Sequence, residues 1–233
     1  MPQSERPKVF LTRPLPAPVM DRLEAETELT LQPHDRPATR EEILEGVRGQ
    51  NALLCLLTDP IDARVLDAGS PTLRIVANYA VGFNNIDIQA AAERGVAVTN
   101  TPGVLTESSA DLAFALLLAT ARRIPEADRF TRAGGWDGWG PLQFLGRDLH
   151  GSTLGLIGMG RIGQAVARRA AGFGLHLRYW NRTRLQPAQE QALSLTYTER
   201  DLLLADSDFV SLHVAYHPQT HHLLGARELS LMK

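Results

Sequence analysis

Thr153-Leu-Gly-Leu-Ile-Gly-Met-Gly-Arg-Ile-Gly163 packs a short apolar strand, a glycine turn and the start of a helix into one uninterrupted run. Each glycine answers a separate requirement. Gly158 allows a tight strand-to-helix turn, Gly160 lets the backbone approach a pyrophosphate closely, and Gly163 lets the helix lie against the sheet. The phosphates then fall at a helix N-terminus, where unpaired N–H groups and the positive dipole end favour anions. The flanking sequence favours this reading over an ordinary glycine-rich turn. Residues 154–157 read as a strand, and Ile162, Ala165, Val166, Ala170 and Phe173 recur at helical spacing. A second apolar run, 175–180, closes a β-α-β unit that reads as a dinucleotide-binding turn.

The end of that second strand discriminates between cofactors. An acidic residue about twenty positions past the glycines would accept hydrogen bonds from a free ribose 2′-hydroxyl, whereas a basic one suits a 2′-phosphate. Here the chain has Asn181-Arg182-Thr183-Arg184. With no carboxylate there and two cations added, NADP is favoured, NAD remaining the alternative; the plain reading of the same residues is a solvated basic turn.

The 233 residues are 44% hydrophobic, with 24 basic and 26 acidic side chains and a net charge of −2. Such a chain fills one large core or two modest ones, and two domains are expected. The near-balanced charge gives no case for a nucleic-acid or anionic-membrane partner, so a small molecule is the expected one. The single cysteine, Cys55, sits among Leu53, Leu54, Leu56 and Leu57, which suggests a buried strand and a reducing cytoplasm. The N-terminus carries neither a signal-peptide nor a transit-peptide pattern. The longest apolar stretch, 112–121, is too short to cross a bilayer. Metal-ligand spacing is also missing, His221 and His222 being adjacent and far from the cysteine.

The first hundred residues alternate strand signals (9–11, 53–57, 73–78, 96–98) with helical ones (17–24, 40–47, 88–94), as a small flavodoxin-like α/β domain would. Thr101-Pro102-Gly103 marks the expected boundary, giving domains 1–100 and 101–233. A helix over 106–123 opens with Thr106 as a hydroxyl cap candidate and is apolar nearly all round, which predicts burial on several faces. It reads as a core helix between the domains or as one also packed against a second subunit. The loop 133–140 carries Trp136 and Trp139, either to cover a cleft or to anchor a partner. Beyond the second Rossmann strand come a strand at 193–197, a helix at 199–205, a strand at 209–214 and a helix at 226–233. In the 3-2-1-4-5-6 order of a doubly wound parallel sheet, this supplies four strands.

The segments Asn78-Tyr-Ala-Val-Gly-Phe-Asn-Asn-Ile-Asp87, Val98-Thr-Asn-Thr-Pro-Gly-Val-Leu-Thr-Glu-Ser-Ser-Ala-Asp-Leu-Ala-Phe-Ala-Leu-Leu-Leu-Ala119, Gly155 to Gly163, and Leu203-Leu-Ala-Asp-Ser-Asp-Phe-Val-Ser-Leu-His213 onward through Gly225 resemble the D-isomer-specific 2-hydroxyacid dehydrogenases, and among them most look like the glyoxylate/hydroxypyruvate reductases. The resemblance implies hydride transfer between NAD(P)H and a small 2-oxo acid, with a substrate domain preceding the cofactor domain. Carried over by position, it implies that Val81 and Gly82 offer backbone N–H groups to the substrate carboxylate while Leu57 lines the pocket. Thr106 would meet the nicotinamide end, Met159, Gly160, Arg161 and Ile162 the pyrophosphate, and Asn181, Arg182 and Thr183 the adenosine phosphate. His213 matches a family histidine additional to the catalytic acid, which implies a structural or cofactor-side role; His217, His221 and His222 read as solvated. Ala215 stands where the family usually has proline. The family's catalytic arginine, glutamate and histidine match positions beyond Lys233, so none is assigned here, and weak activity at most is expected of these 233 residues. The competing expectation is a catalytically silent nucleotide-binding or dimerisation module; within the enzyme class, a phosphoglycerate or other D-2-hydroxyacid dehydrogenase is the alternative.

Overall fold

The computed structural model describes residues 6–233. Residues 1–5, on which most of the reading of the N-terminus rests, lie outside them. The chain forms two compact units that divide between Val104 and Leu105, a few residues past the Pro-Gly break expected at 101–103.

The first unit runs β1 (Lys8–Leu11), α1 (Ala17–Glu26), β2 (Glu28–Leu31), α2 (Arg40–Gly46), β3 (Ala52–Cys55), α3 (Ala63–Gly69), β4 (Ile75–Asn78), α4 (Ile88–Glu93) and β5 (Ala97–Thr99). Its five strands are all parallel in the order β2-β1-β3-β4-β5, the flavodoxin-like order. Helices return the chain to the same sheet end, so inner strands are covered on both faces, and Phe10, Leu53 and Val76 join Ile43, Val47 and Val65 in one core. Three helix starts are fixed by side chains. Thr39 and Glu42 form a reciprocal capping box on α2, Asp62 accepts from the Arg64 and Val65 N–H groups on α3, and Asp87 accepts from Ala90 on α4. Neither β2 nor α3 was expected. The strand is four half-exposed residues, whereas α3 carried a readable signal in Asp62 placed just before Ala63.

The second unit contains α5 (Thr106–Ala121), α6 (Ile124–Arg132), β6 (Thr153–Ile157), α7 (Arg161–Ala171), β7 (His176–Trp180), α8 (Pro187–Ala192), β8 (Leu195–Tyr197), α9 (Arg200–Asp206), β9 (Phe209–Leu212) and α10 (Ala226–Leu231). Its parallel strands lie in the order β8-β7-β6-β9, the 3-2-1-4 portion of a doubly wound nucleotide sheet, as expected. Central β6 is enclosed: Leu154 and Leu156 pack with Ala165, Val166 and Ala170 of α7 and Tyr179 of β7, and Ile157 packs with Leu203 and Leu204 of α9.

Several expectations change here. The residue capping α5 is Leu105, and among the described residues no side chain caps that helix, so Thr106 begins the helix without capping it. Within the single chain α5 buries one face only, with Ala110, Phe114 and Ala121 buried while Leu112 and Leu116 are 61% and 58% exposed, so the expected burial on several faces is not met by this chain's own residues. One face packs on α7, held by Arg169 on Glu107 and Asp111; an all-apolar composition cannot reveal which face that is. Arg123, in the left-handed region at φ 53°, turns the chain directly into the unexpected α6. Phe173 lies past the end of α7 and rests on Phe114 with ring centroids 4.8 Å apart. Both Trp136 and Trp139 are exposed.

Candidate functional site

The glycine turn joins β6 to α7. Gly158 has φ +96°, and a Cβ there would stand 2.6 Å from the His213 carbonyl oxygen, so both backbone conformation and space demand glycine. A Cβ on Gly163 would stand 2.2 Å from the Gly158 carbonyl oxygen, which is the close helix-to-turn packing expected of it. Gly160 is different: nothing lies within 4 Å of where its Cβ would be. That open space sits over the first turn of α7, where among the described residues the N–H groups of Arg161, Ile162 and Gly163 have no acceptor. No acidic side chain occupies this first turn. Instead the exposed Arg161 sits there, a cation at the positive end of the helix dipole, unfavourable for the helix alone and favourable once an anion is bound. These groups fit a dinucleotide diphosphate.

The loop after β7 is tied to this turn. The Asn181 Oδ1 accepts from the Met159 N–H at 3.2 Å, and its Nδ2 donates to the Thr183 carbonyl at 2.9 Å, so its amide is occupied within the protein. The two arginines differ as well. Arg184 donates twice to Glu190, at 2.8 and 2.9 Å, and lies 5.2 Å from the Tyr197 ring centroid. Arg182 is exposed and, among the described residues, makes no ion pair or hydrogen bond through its side chain. Of the basic pair read from the sequence, one member is therefore free.

His213 follows β9. Its N–H donates to Ile157 at 2.7 Å, its Nε2 lies 2.9 Å from the Ser211 hydroxyl, and its carbonyl backs Gly158. Burial holds its pKa below the usual histidine value, so the imidazole is neutral at pH 7. Of the other histidines, His221 and His222 are exposed as expected, and His217 departs from the solvated expectation. The Nδ1 of His217 is buried and unpartnered among the described residues, and His221 hydrogen-bonds Tyr216 at 3.0 Å. Thr106, half-buried, opens α5 one residue before the ion-paired Glu107.

In the first unit Leu57, Val81 and Gly82 do come together. Leu57 Cδ2 lies 3.6 Å from where a Gly82 Cβ would be, and among the described residues the N–H groups of Val81 and Gly82 donate to no protein acceptor. Their carbonyls, by contrast, are both held: Asn78 Nδ2 donates to Gly82 at 2.6 Å and Asn100 Nδ2 to Val81 at 2.8 Å. Behind them Asn85 donates to the carbonyls of Leu56 and Asp59, and the buried Asp59 accepts from Thr12 at 2.5 Å and the Leu56 N–H at 2.8 Å. This amide and carboxylate scaffold fixes two outward N–H donors one residue apart, an arrangement suited to a carboxylate. The sequence reading named the donors and missed Asn78, Asn85 and Asp59, although both asparagines stand in the 78–87 segment.

Among the described residues there is no cluster of three metal-ligating side chains and no helix long and apolar enough to cross a membrane.

The sequence model for the NAD-binding domain of the D-isomer specific 2-hydroxyacid dehydrogenases matches residues 114–233. The glyoxylate reductase of Thermococcus gammatolerans is 51% identical over 232 residues, which are 98% of this chain and 69% of that protein. That of Korarchaeum cryptofilum is 50% identical over 229 residues, 98% of this chain and 68% of that protein. Among solved structures, the TT0316 protein from Thermus thermophilus is 44% identical with a TM-score of 0.90, covering 97% of this chain and 70% of that one. With a nicotinamide-dinucleotide domain matched over half its length and relatives at half identity along nearly all of it, this chain belongs to the D-isomer-specific 2-hydroxyacid dehydrogenases.

Proposed function

We propose that the chain binds NADPH in preference to NADH for the reduction of a small 2-oxo acid such as glyoxylate or hydroxypyruvate. The observation that carries this reading is the free guanidinium of Arg182 at the end of β7, where the carboxylate of Glu190 is already taken by Arg184. An exposed, uncompensated guanidinium matches a ribose 2′-phosphate, and the Glu190 carboxylate is not free to accept from a 2′-hydroxyl. The names of the relatives supply the substrate class.

In this reading the second unit holds the cofactor and the first the substrate. Gly158, Met159, Gly160, Arg161, Ile162 and Gly163 receive the diphosphate, Arg182 and Thr183 the adenosine phosphate, and Thr106 the nicotinamide end. Asn181 shapes the turn, and the neutral His213 supports Gly158 on the cofactor side. The substrate carboxylate is accepted by the Val81 and Gly82 N–H groups, with Leu57 against its side chain. NADPH supplies the hydride. The exposed Leu112 and Leu116 of α5 pair with a second copy to form a homodimer, and the unoxidised Cys55 suits a cytoplasmic setting.

Fluorescence titration of the purified chain with NADPH and NADH tests the cofactor assignment. NADPH is expected to bind at least about tenfold more tightly, and Arg182→Ala to erase that difference. Tighter binding of NADH by the unaltered chain refutes it. Glyoxylate-dependent oxidation of NADPH by the same preparation measures how much of the reaction these residues carry.

A further inference from the structure

We infer that Glu190 and Tyr179 are positioning residues for cofactor selection, acting through Arg182 by holding the loop that carries it. This rests on the NADPH reading above. An arginine on a free loop loses affinity to the cost of ordering the loop, whereas one on a pre-ordered loop does not.

The loop following β7 is held at both ends. At its head, the Asn181 amide joins the Met159 N–H to the Thr183 carbonyl. At its tail, Glu190 Oε1 accepts from the Tyr179 hydroxyl at 2.5 Å and from Arg184 Nε at 2.8 Å, while its Oε2 accepts from Arg184 Nη2 at 2.9 Å. The Tyr179 hydroxyl in turn accepts from the Leu185 N–H at 2.9 Å. Because Tyr179 is fully buried in β7, this knot ties the loop to the sheet rather than to another mobile segment. Only Arg182 and Thr183 project between the two anchors. The Arg184 guanidinium, hydrogen-bonded first, and the Tyr179 hydroxyl hold the Glu190 carboxyl at about 2, so it stays charged and cancels Arg184. The knot thereby leaves a single uncompensated cation in the loop and fixes where that cation stands.

The test compares NADPH and NADH dissociation constants for Glu190→Ala, Glu190→Gln, Tyr179→Phe and Arg182→Ala, with thermal melts of each. Glu190→Ala is expected to weaken NADPH about tenfold while leaving NADH within about twofold, with Glu190→Gln intermediate because it keeps one acceptor. Tyr179→Phe keeps the buried ring and removes only the hydroxyl, so it reads the same ratio should Glu190→Ala not fold. A parallel loss of both cofactors, an unchanged ratio, or tighter NADPH binding by a released Arg184 each overturns the inference. If Arg182→Ala leaves the ratio unchanged, the NADPH reading itself falls; if it abolishes the ratio while the knot variants preserve it, only the positioning role falls.

Discussion

Replacing Gly160 by alanine should leave the protein folded and remove its cofactor. Gly160 caps α7 with φ −74° and ψ −165°, a conformation any residue adopts, and a methyl there meets nothing within 4 Å. Alanine is a poorer cap than glycine by about 0.5–1 kcal/mol, but it restricts the unfolded chain by about 0.4–1 kcal/mol, so the net change in stability is within ~0.5 kcal/mol. Gly163 is the contrasting case. Its methyl would lie 2.2 Å from the Gly158 carbonyl oxygen, a backbone atom that cannot swing aside. Overpacking of this kind costs about 1–3 kcal/mol, offset by about 1 kcal/mol of helix propensity, which leaves ~0–2 kcal/mol. At Gly158 the same overpacking is joined by left-handed strain of about 1–3 kcal/mol. The melting temperature should therefore hold within about 2 °C for Gly160→Ala, fall by up to about 8 °C for Gly163→Ala, and fall furthest for Gly158→Ala. NADPH titration should run differently: Gly160→Ala fills the space over the α7 N-terminus and should weaken binding about a hundredfold, ~2.7 kcal/mol. Circular-dichroism melts and fluorescence titrations measure the two quantities on the same samples. Wild-type affinity in Gly160→Ala would refute the placement of the diphosphate over that glycine.

Three further outcomes are expected. Burial raises the Cys55 thiol to about 12, so iodoacetamide at pH 8 should modify it only after denaturation; prompt labelling of the native protein would contradict its place in the core. Glu42 and Glu190 are each held at about 2, by Arg36 and by Arg184 respectively, so their stabilising contribution is complete above the ordinary glutamate value and lost as pH falls toward 2. The depressed His213 acts in the same direction below about pH 6.5, and urea midpoints that rise on acidification from pH 6 to 3 would oppose this sign. Leu112→Glu with Leu116→Glu alters only positions exposed in the single chain, so it should convert a sedimenting dimer to a folded monomer with native circular dichroism; a wild-type monomer at micromolar concentration would remove the dimer reading.

What was legible in the sequence was local. The three glycines, the strand before them and the helix after them lie within one short run, and the positive φ of Gly158 and the contact of Gly163 with Gly158 are set inside it, while the contact of Gly158 with His213 is not; the structure reproduces that β-α-β unit and its strand order. The Val81-Gly82 donors were named only through the family resemblance, and the groups that hold their carbonyls in place, Asn78 and Asn100, are four and nineteen positions away from the carbonyls they hold. Asn181 and Arg184 were misweighted for the same reason. Their partners, Met159 and Glu190, lie 22 and 6 positions away, and only the fold decides that one amide and one cation are spent internally. The exposed face of α5 was illegible because leucines on every side erase the periodicity that separates buried from exposed positions. The end of α5 near residue 123 was legible, whereas α6, which begins directly after the left-handed Arg123, was not.

The central position of β6 also has a consequence during synthesis. One of its neighbours, β9, is joined to it by a bond from the Thr153 N–H to Asp208, 55 residues further along the chain. At translation rates of about 5–20 residues per second, that partner emerges roughly 3–11 s after β6 does. Throughout that interval Leu154, Leu156 and Ile157, fully buried in the finished sheet, have an open strand edge beside them. The same strand that presents the glycine turn is therefore a segment of the nascent chain that stays half-paired until β9 has emerged.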